Sequence, residues 1–125
     1  MTADLTIKER TRAANRIIDA IATNGPCALY SPVSNRKARL GLDRVESVWF
    51  IDSFTGLRLY PFCGSTWCGF TGSDKLRELV GALANFARDG APLDAELIAS
   101  LLDGYSEEEK DQVRNQVVLT GAVVA

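Results

Sequence analysis

The stretch SVWFIDSFTGLRLYPF, residues 47–62, decides the fold class. Ser47 to Asp52 and Leu57 to Phe62 are two short runs rich in β-branched and aromatic residues. Such residues fit a pleated, half-buried surface. Between them Ser53-Phe54-Thr55-Gly56 reads as a turn, with Asp52 suited to cap it. Beyond a second punctuation at Gly64-Ser65-Thr66, Trp67 to Phe70 reads as a third short strand. The expectation is an antiparallel β-meander over about 47–70.

Helical patterns flank this centre. Upstream, Ala14, Ile17, Ile18 and Ile21 recur at the spacing of one helix face, predicting a helix over 4–23 stopped by Asn24-Gly25-Pro26. Cys27 to Tyr30 reads as a short strand, and Ser34 to Arg39 as an exposed basic loop. Downstream, Ser73 is a good N-cap for a helix over 74–88 whose stripe is Leu76, Leu79, Val80, Leu83 and Phe86. Gly90 closes it. A shorter helix follows Pro92, with Leu93, Leu97, Ile98, Leu101 and Leu102 inward, and ends at Gly104. Ser106 and Glu109 form a capping-box pattern for a last helix carrying Val113, Val117 and Val118. The tail 117–125 is β-branched enough to be a strand instead. The fold class is therefore α+β: an N-terminal helix, a three-stranded antiparallel meander, then two or three helices packed on the sheet. At 125 residues this is one domain over 1–125.

Composition narrows the function classes. Apolar residues make up 46% and charged residues 24%, as in ordinary globular chains. No apolar run approaches the roughly 20 residues of a membrane span. The first twenty residues carry Asp4, Lys8, Glu9, Arg10, Arg12, Arg16 and Asp19, unlike a secretory signal. A cytoplasmic location and no membrane partner are expected. Three cysteines, Cys27, Cys63 and Cys68, are too few and too odd in number for a disulfide framework. Their loose spacing lacks a fourth zinc ligand, so neither a metal site nor a cofactor is expected.

The chain contains no histidine. That removes the commonest general base and excludes Ser-His and Cys-His nucleophile pairs within one chain. Gly64, Gly69 and Gly72 match neither a P-loop nor a dinucleotide fingerprint. Glu107, Glu108 and Glu109 suit the first turn of a helix, where the macrodipole favours carboxylates. No catalytic residue is assigned, and no enzyme is expected.

Aromatic clustering is the most informative feature. Trp49, Phe50, Phe54, Tyr60, Phe62, Trp67 and Phe70 all fall within 49–70. Alternation along the second run puts Leu57 and Leu59 on one face and Arg58, Tyr60 and Phe62 on the other. The leucines suit a helix-covered face. The other face makes Trp49, Arg58, Tyr60, Phe62 and Trp67 a candidate partner-binding surface, since Trp, Tyr and Arg dominate hot spots. The expected function is a non-enzymatic protein-binding or regulatory module, self-associating as a homodimer. Small adaptor, regulatory and mobile-element accessory proteins share this profile.

The alternative is a nucleic-acid-binding regulator, using Arg36, Lys37 and Arg39 of the basic 35–44 segment with Arg12 and Arg16 of the first helix. Charge is divided unevenly along the chain: residues 1–60 sum to +3 and residues 61–125 to −5. The two halves are thus complementary, within one chain or between copies. The order helix, three strands, helix over 4–89 resembles the layout of the double-stranded-RNA-binding domain. That family starts its second helix with a lysine-rich patch. Here the place reads Asp74-Lys75-Leu76-Arg77-Glu78, with acids interleaved.

Overall fold

The computed structural model describes residues 6–24, 29–31, 35–44, 48–51, 58–59, 74–102 and 104–119. The chain is α+β, with an N-terminal helix, antiparallel strands and C-terminal helices. The elements are α1 (Ile7–Asn24), β1 (Tyr30–Ser31), β2 (Arg36–Lys37), β3 (Arg39–Leu42), β4 (Val48–Ile51), β5 (Arg58–Leu59), α2 (Asp74–Asp89), α3 (Ala95–Ser100) and α4 (Glu107–Leu119).

The first helix begins on a reciprocal cap. Thr6 N–H donates to Glu9 Oε1 at 3.0 Å, and Glu9 N–H donates to Thr6 Oγ1 at 3.1 Å. The bond from the Thr6 backbone holds the Glu9 carboxyl below its ordinary range. The predicted start at residue 4 overlooked this Thr-x-x-Glu signal. One stripe of α1, containing Ala14, Ile17, Ile18 and Ile21, is fully buried, as the periodicity requires.

The sheet differs from expectation at its beginning. The segment read as an exposed basic loop forms β2 and β3, and β3 is an edge of the sheet ordered β3-β4-β5. The missed signal is an alternation: Ala38 and Leu40 are buried and Leu42 half-buried, while Lys37 and Arg39 on either side of Ala38 are exposed. Basic residues and Gly41 on the outward side masked the strand pattern. β4 fits its prediction, and β5 is a two-residue part of the second predicted run. The 53–56 turn, Asp52 and the third predicted strand, 67–70, lie outside the described residues.

Side-chain hydrogen bonds complete this edge. Ala38 N–H donates to Leu29 O at 2.8 Å, extending the β1–β2 ladder by one pair. At the next outward-pointing backbone position, Leu40, the Asn15 carboxamide takes over. Leu40 N–H donates to Asn15 Oδ1 and Asn15 Nδ2 donates to Leu40 O, both at 2.8 Å. A helix side chain thus makes the two bonds a neighbouring strand would make.

Val48 and Phe50 of β4 point into the core with Leu40. The helices cover that face, α1 against β3 and α2 against β4. Arg10 joins the ends of two helices: its guanidinium donates to Ala87 O and Arg88 O, both at 3.1 Å, capping α2. Gly90 follows at φ 76, the left-handed stop expected there. The Ser73 cap lies outside the described residues.

Asp94 caps α3, its side chain accepting from Glu96 N–H and Leu97 N–H. Leu93, Ile98 and Leu102 are buried as expected, but Leu97 is 39% exposed. With only six residues α3 buries a narrow stripe, and Leu97 falls beside it. The capping box of α4 is realised at Ser106 and Glu109, with bonds of 2.7 and 3.2 Å. The helix runs to Leu119, so 117–119 are helical rather than a strand, and 120–125 lie outside the described residues. Val113 and Val117 are buried, whereas Val118 is 56% exposed.

Tyr105 anchors the turn before α4: its hydroxyl donates to Ile21 O at 2.6 Å in the interior. Tyr105→Phe should cost about 1 kcal/mol, the net worth of one buried hydrogen bond. Urea unfolding checks it, with the midpoint falling and the slope unchanged.

Candidate functional site

The strand register joins two candidate sets that are separate in sequence. Arg39 pairs with Ile51, and Gly41 with Trp49. Ile51 pairs in turn with Arg58, and Phe50 with Leu59. Phe50 is buried on the helix side, so Leu59 shares its register row, while Arg58 shares the row of Ile51 and Arg39. Arg39 came from the nucleic-acid candidates and Trp49 and Arg58 from the partner-binding candidates. All three belong to one sheet.

Along β4, burial alternates with the pleat: Val48 and Phe50 are buried, Trp49 and Ile51 half-buried. Trp49 and Ile51 therefore occupy the side away from the helices. There the indole of Trp49 lies over Gly41 on the neighbouring strand. A Cβ added to Gly41 would overlap the six-membered ring of Trp49. Glycine in the strand is what admits the ring to that place. Arg39 is exposed on the same side, two residues from Gly41. The surface offers an aromatic plate, an aliphatic side chain and a guanidinium, a combination suited to a protein partner with acidic and apolar groups. Tyr60, Phe62 and Trp67 lie outside the described residues.

The remaining nucleic-acid candidates are dispersed. Arg12 and Arg16 are exposed on α1, one turn apart and opposite its buried stripe. Arg36 is half-buried on β2. Lys37 Nζ lies 3.7 Å from Asp19 Oδ1, so an acid stands among these cations. Asp19 and Arg16 also line an open cleft of about 350 Å³ between α1 and α4, with Ala20, Thr23, Gln112 and Gln116.

On the far side of α4, Arg114 gathers carboxylates. Its Nη1 donates to Asp111 Oδ1 at 2.6 Å and to Glu107 Oε2 at 3.4 Å. Its Nε lies 3.1 Å from Glu96 Oε2 on α3, an ion pair without hydrogen-bond alignment. The bond to Asp111 holds the guanidinium above its ordinary range. This cluster ties α3 to α4.

The three cysteines lie outside the described residues. Among the described residues, no group of three or more His, Cys, Asp or Glu is placed to hold a metal ion. No helix among them is long and apolar enough to cross a membrane.

Sequence reasoning missed Asn15 and Gly41. The signal for Gly41 was its place among residues alternating with Ala38, Leu40 and Leu42. Nothing local marks Asn15, whose partner is 25 residues away. Comparison with protein-family models, with curated proteins and with solved structures returns no significant match, so the functional reading rests on this geometry.

Proposed function

We propose that the chain is a non-enzymatic protein-binding module that contacts its partner through the outward face of the β3–β5 sheet. The observation that carries the reading is the single register uniting Arg39, Trp49 and Ile51 on the side away from the helices. Trp49 packs its ring against Gly41, and a side chain already packed loses less rotamer freedom when a partner covers it. The absence of histidine from the chain is in keeping with a role in binding.

The test is capture from a lysate of the native host, with mass spectrometry on what is retained. Ile51→Lys should fold, since a lysine stem can cover apolar surface while its ammonium reaches water. The wild-type chain should retain a partner that Ile51→Lys loses. Equal retention by both would reject the sheet face. Binding to DNA or RNA at low salt that survives Ile51→Lys and fails in Arg12→Glu/Arg16→Glu would favour the nucleic-acid reading instead.

A further inference from the structure

We infer that the cleft between α1 and α4 binds a small hydrophilic anion: a carboxylate or phosphate carried on a body with amide or hydroxyl groups. The cleft shares no residue with the sheet face.

Two helices supply its walls. On α1, Arg16, Ala20 and Thr23 recur at the spacing of one face, with Asp19 beside them. On α4, Gln112 and Gln116 stand one turn, about 6 Å, apart. The core fixes both helices. Ile17 and Ile21 of α1 and Val113 and Val117 of α4 are fully buried, and the Tyr105 hydroxyl ties the start of α4 to Ile21 O. The cleft is therefore formed before any ligand arrives.

Charge selects the sign of the ligand. Among the described residues, the side chains of Arg16, Gln112 and Gln116 have no hydrogen-bond or ion-pair partner. Asp19 is the one carboxylate in the lining, and Lys37 Nζ lies 3.7 Å from it. The Arg16 guanidinium is left as the uncompensated charge, and its fork of donors matches a carboxylate or a phosphate. The acids at the start of α4 are engaged elsewhere. Glu107 and Asp111 accept from Arg114, Glu109 accepts from Ser106 N–H, and Glu108 is not in the lining.

The rest of the lining selects the body that carries the anion. A volume of about 350 Å³ lies at the small end of the roughly 300–1,000 Å³ of small-molecule sites. Ala20 is the only apolar residue in the lining, and no aromatic side chain is there, so a hydrocarbon or a flat ring gains little. Each carboxamide offers a donor and an acceptor, and Thr23 offers a hydroxyl. These groups pair with amides or hydroxyls.

Nuclear magnetic resonance of the ¹⁵N-labelled chain at low salt tests this. The probes are N-acetylglycylglycine, a carboxylate on amides, and glucose 6-phosphate, a phosphate on hydroxyls. Each is added to about 10 mM, enough to fill most of a site with a Kd of about 1 mM. The side-chain amide signals of Gln112 and Gln116 should move with at least one probe, and the tighter probe identifies the anion. Arg16→Gln should weaken that binding at least about tenfold, the worth of one charge-assisted hydrogen bond. Gln116→Leu should weaken it with no change in net charge. Arg12→Gln removes a cation one turn away, outside the lining, and should leave the affinity unchanged. The backbone spectrum of each variant checks that it folds. No movement with either probe, or equal losses in Arg12→Gln and Arg16→Gln, overturns the assignment.

Discussion

Asn15→Leu is expected to destabilise the fold by about 3 kcal/mol. The carboxamide makes two hydrogen bonds with Leu40, each with a net worth of about 1 kcal/mol. Its loss also strands the Leu40 N–H and C=O beside α1, and an unmet buried polar group costs about 1–3 kcal/mol. Residual access of water at this half-buried place keeps the total at about 3 kcal/mol, below the summed full penalties of both stranded groups. Asn15→Asp separates the hydrogen bonds from the packing. A carboxylate still accepts from Leu40 N–H but meets Leu40 C=O with no proton to give. At neutral pH this variant should be nearly as unstable as Asn15→Leu. Burial against a carbonyl raises the carboxyl pKa in the folded state above its unfolded value of about 4. The protonated form restores the donor, so the deficit relative to wild type should shrink as pH falls through that raised value. A deficit independent of pH would mean that Asn15 acts through its shape alone. Urea unfolding of the three proteins at two pH values is the measurement.

Gly41→Ala should cost about 1–2 kcal/mol, although alanine restricts the unfolded chain and would otherwise stabilise by about 0.4–1 kcal/mol. The new methyl would overlap the indole of Trp49, so the ring must leave its seat. Trp49 emission should shift to the red, read in a Trp67→Phe background to isolate it. With Trp49→Ala already present, Gly41→Ala should become neutral or stabilising, since the ring that opposed it is gone. A double-mutant cycle measures the coupling directly. Equal effects of Gly41→Ala in both backgrounds would show that the ring and the glycine act independently. Because Trp49 belongs to the proposed contact face, Gly41→Ala should also weaken partner capture without touching a partner itself.

These two sites differ in how far the sequence reveals them. The helices were legible because their information is local. The isoleucine stripe of α1, the Ser106 and Glu109 box and the glycine stop at 90 each act within a few residues of chain. The β-branched and aromatic run at Val48 to Ile51 likewise announced a strand. Leu97 and Val118 show the limit even of a helical pattern: periodicity places a residue near a face, but neighbouring elements decide how wide the buried stripe is.

The sheet's first strand was illegible for a different reason. Arg39 and Gly41 look like loop residues until β4 lies beside them. Only the register supplies Trp49 to fill the space over Gly41, and only the placement of α1 supplies Asn15 to close the edge at Leu40. The residues by themselves determined an α+β chain, its helices and a run of strand-forming aromatics, because backbone preference and side-chain periodicity act over short stretches. Tertiary structure alone decided that a basic segment and an aromatic one share a sheet. That outcome depends on hydrogen-bonding partners distant in sequence, which no local pattern encodes.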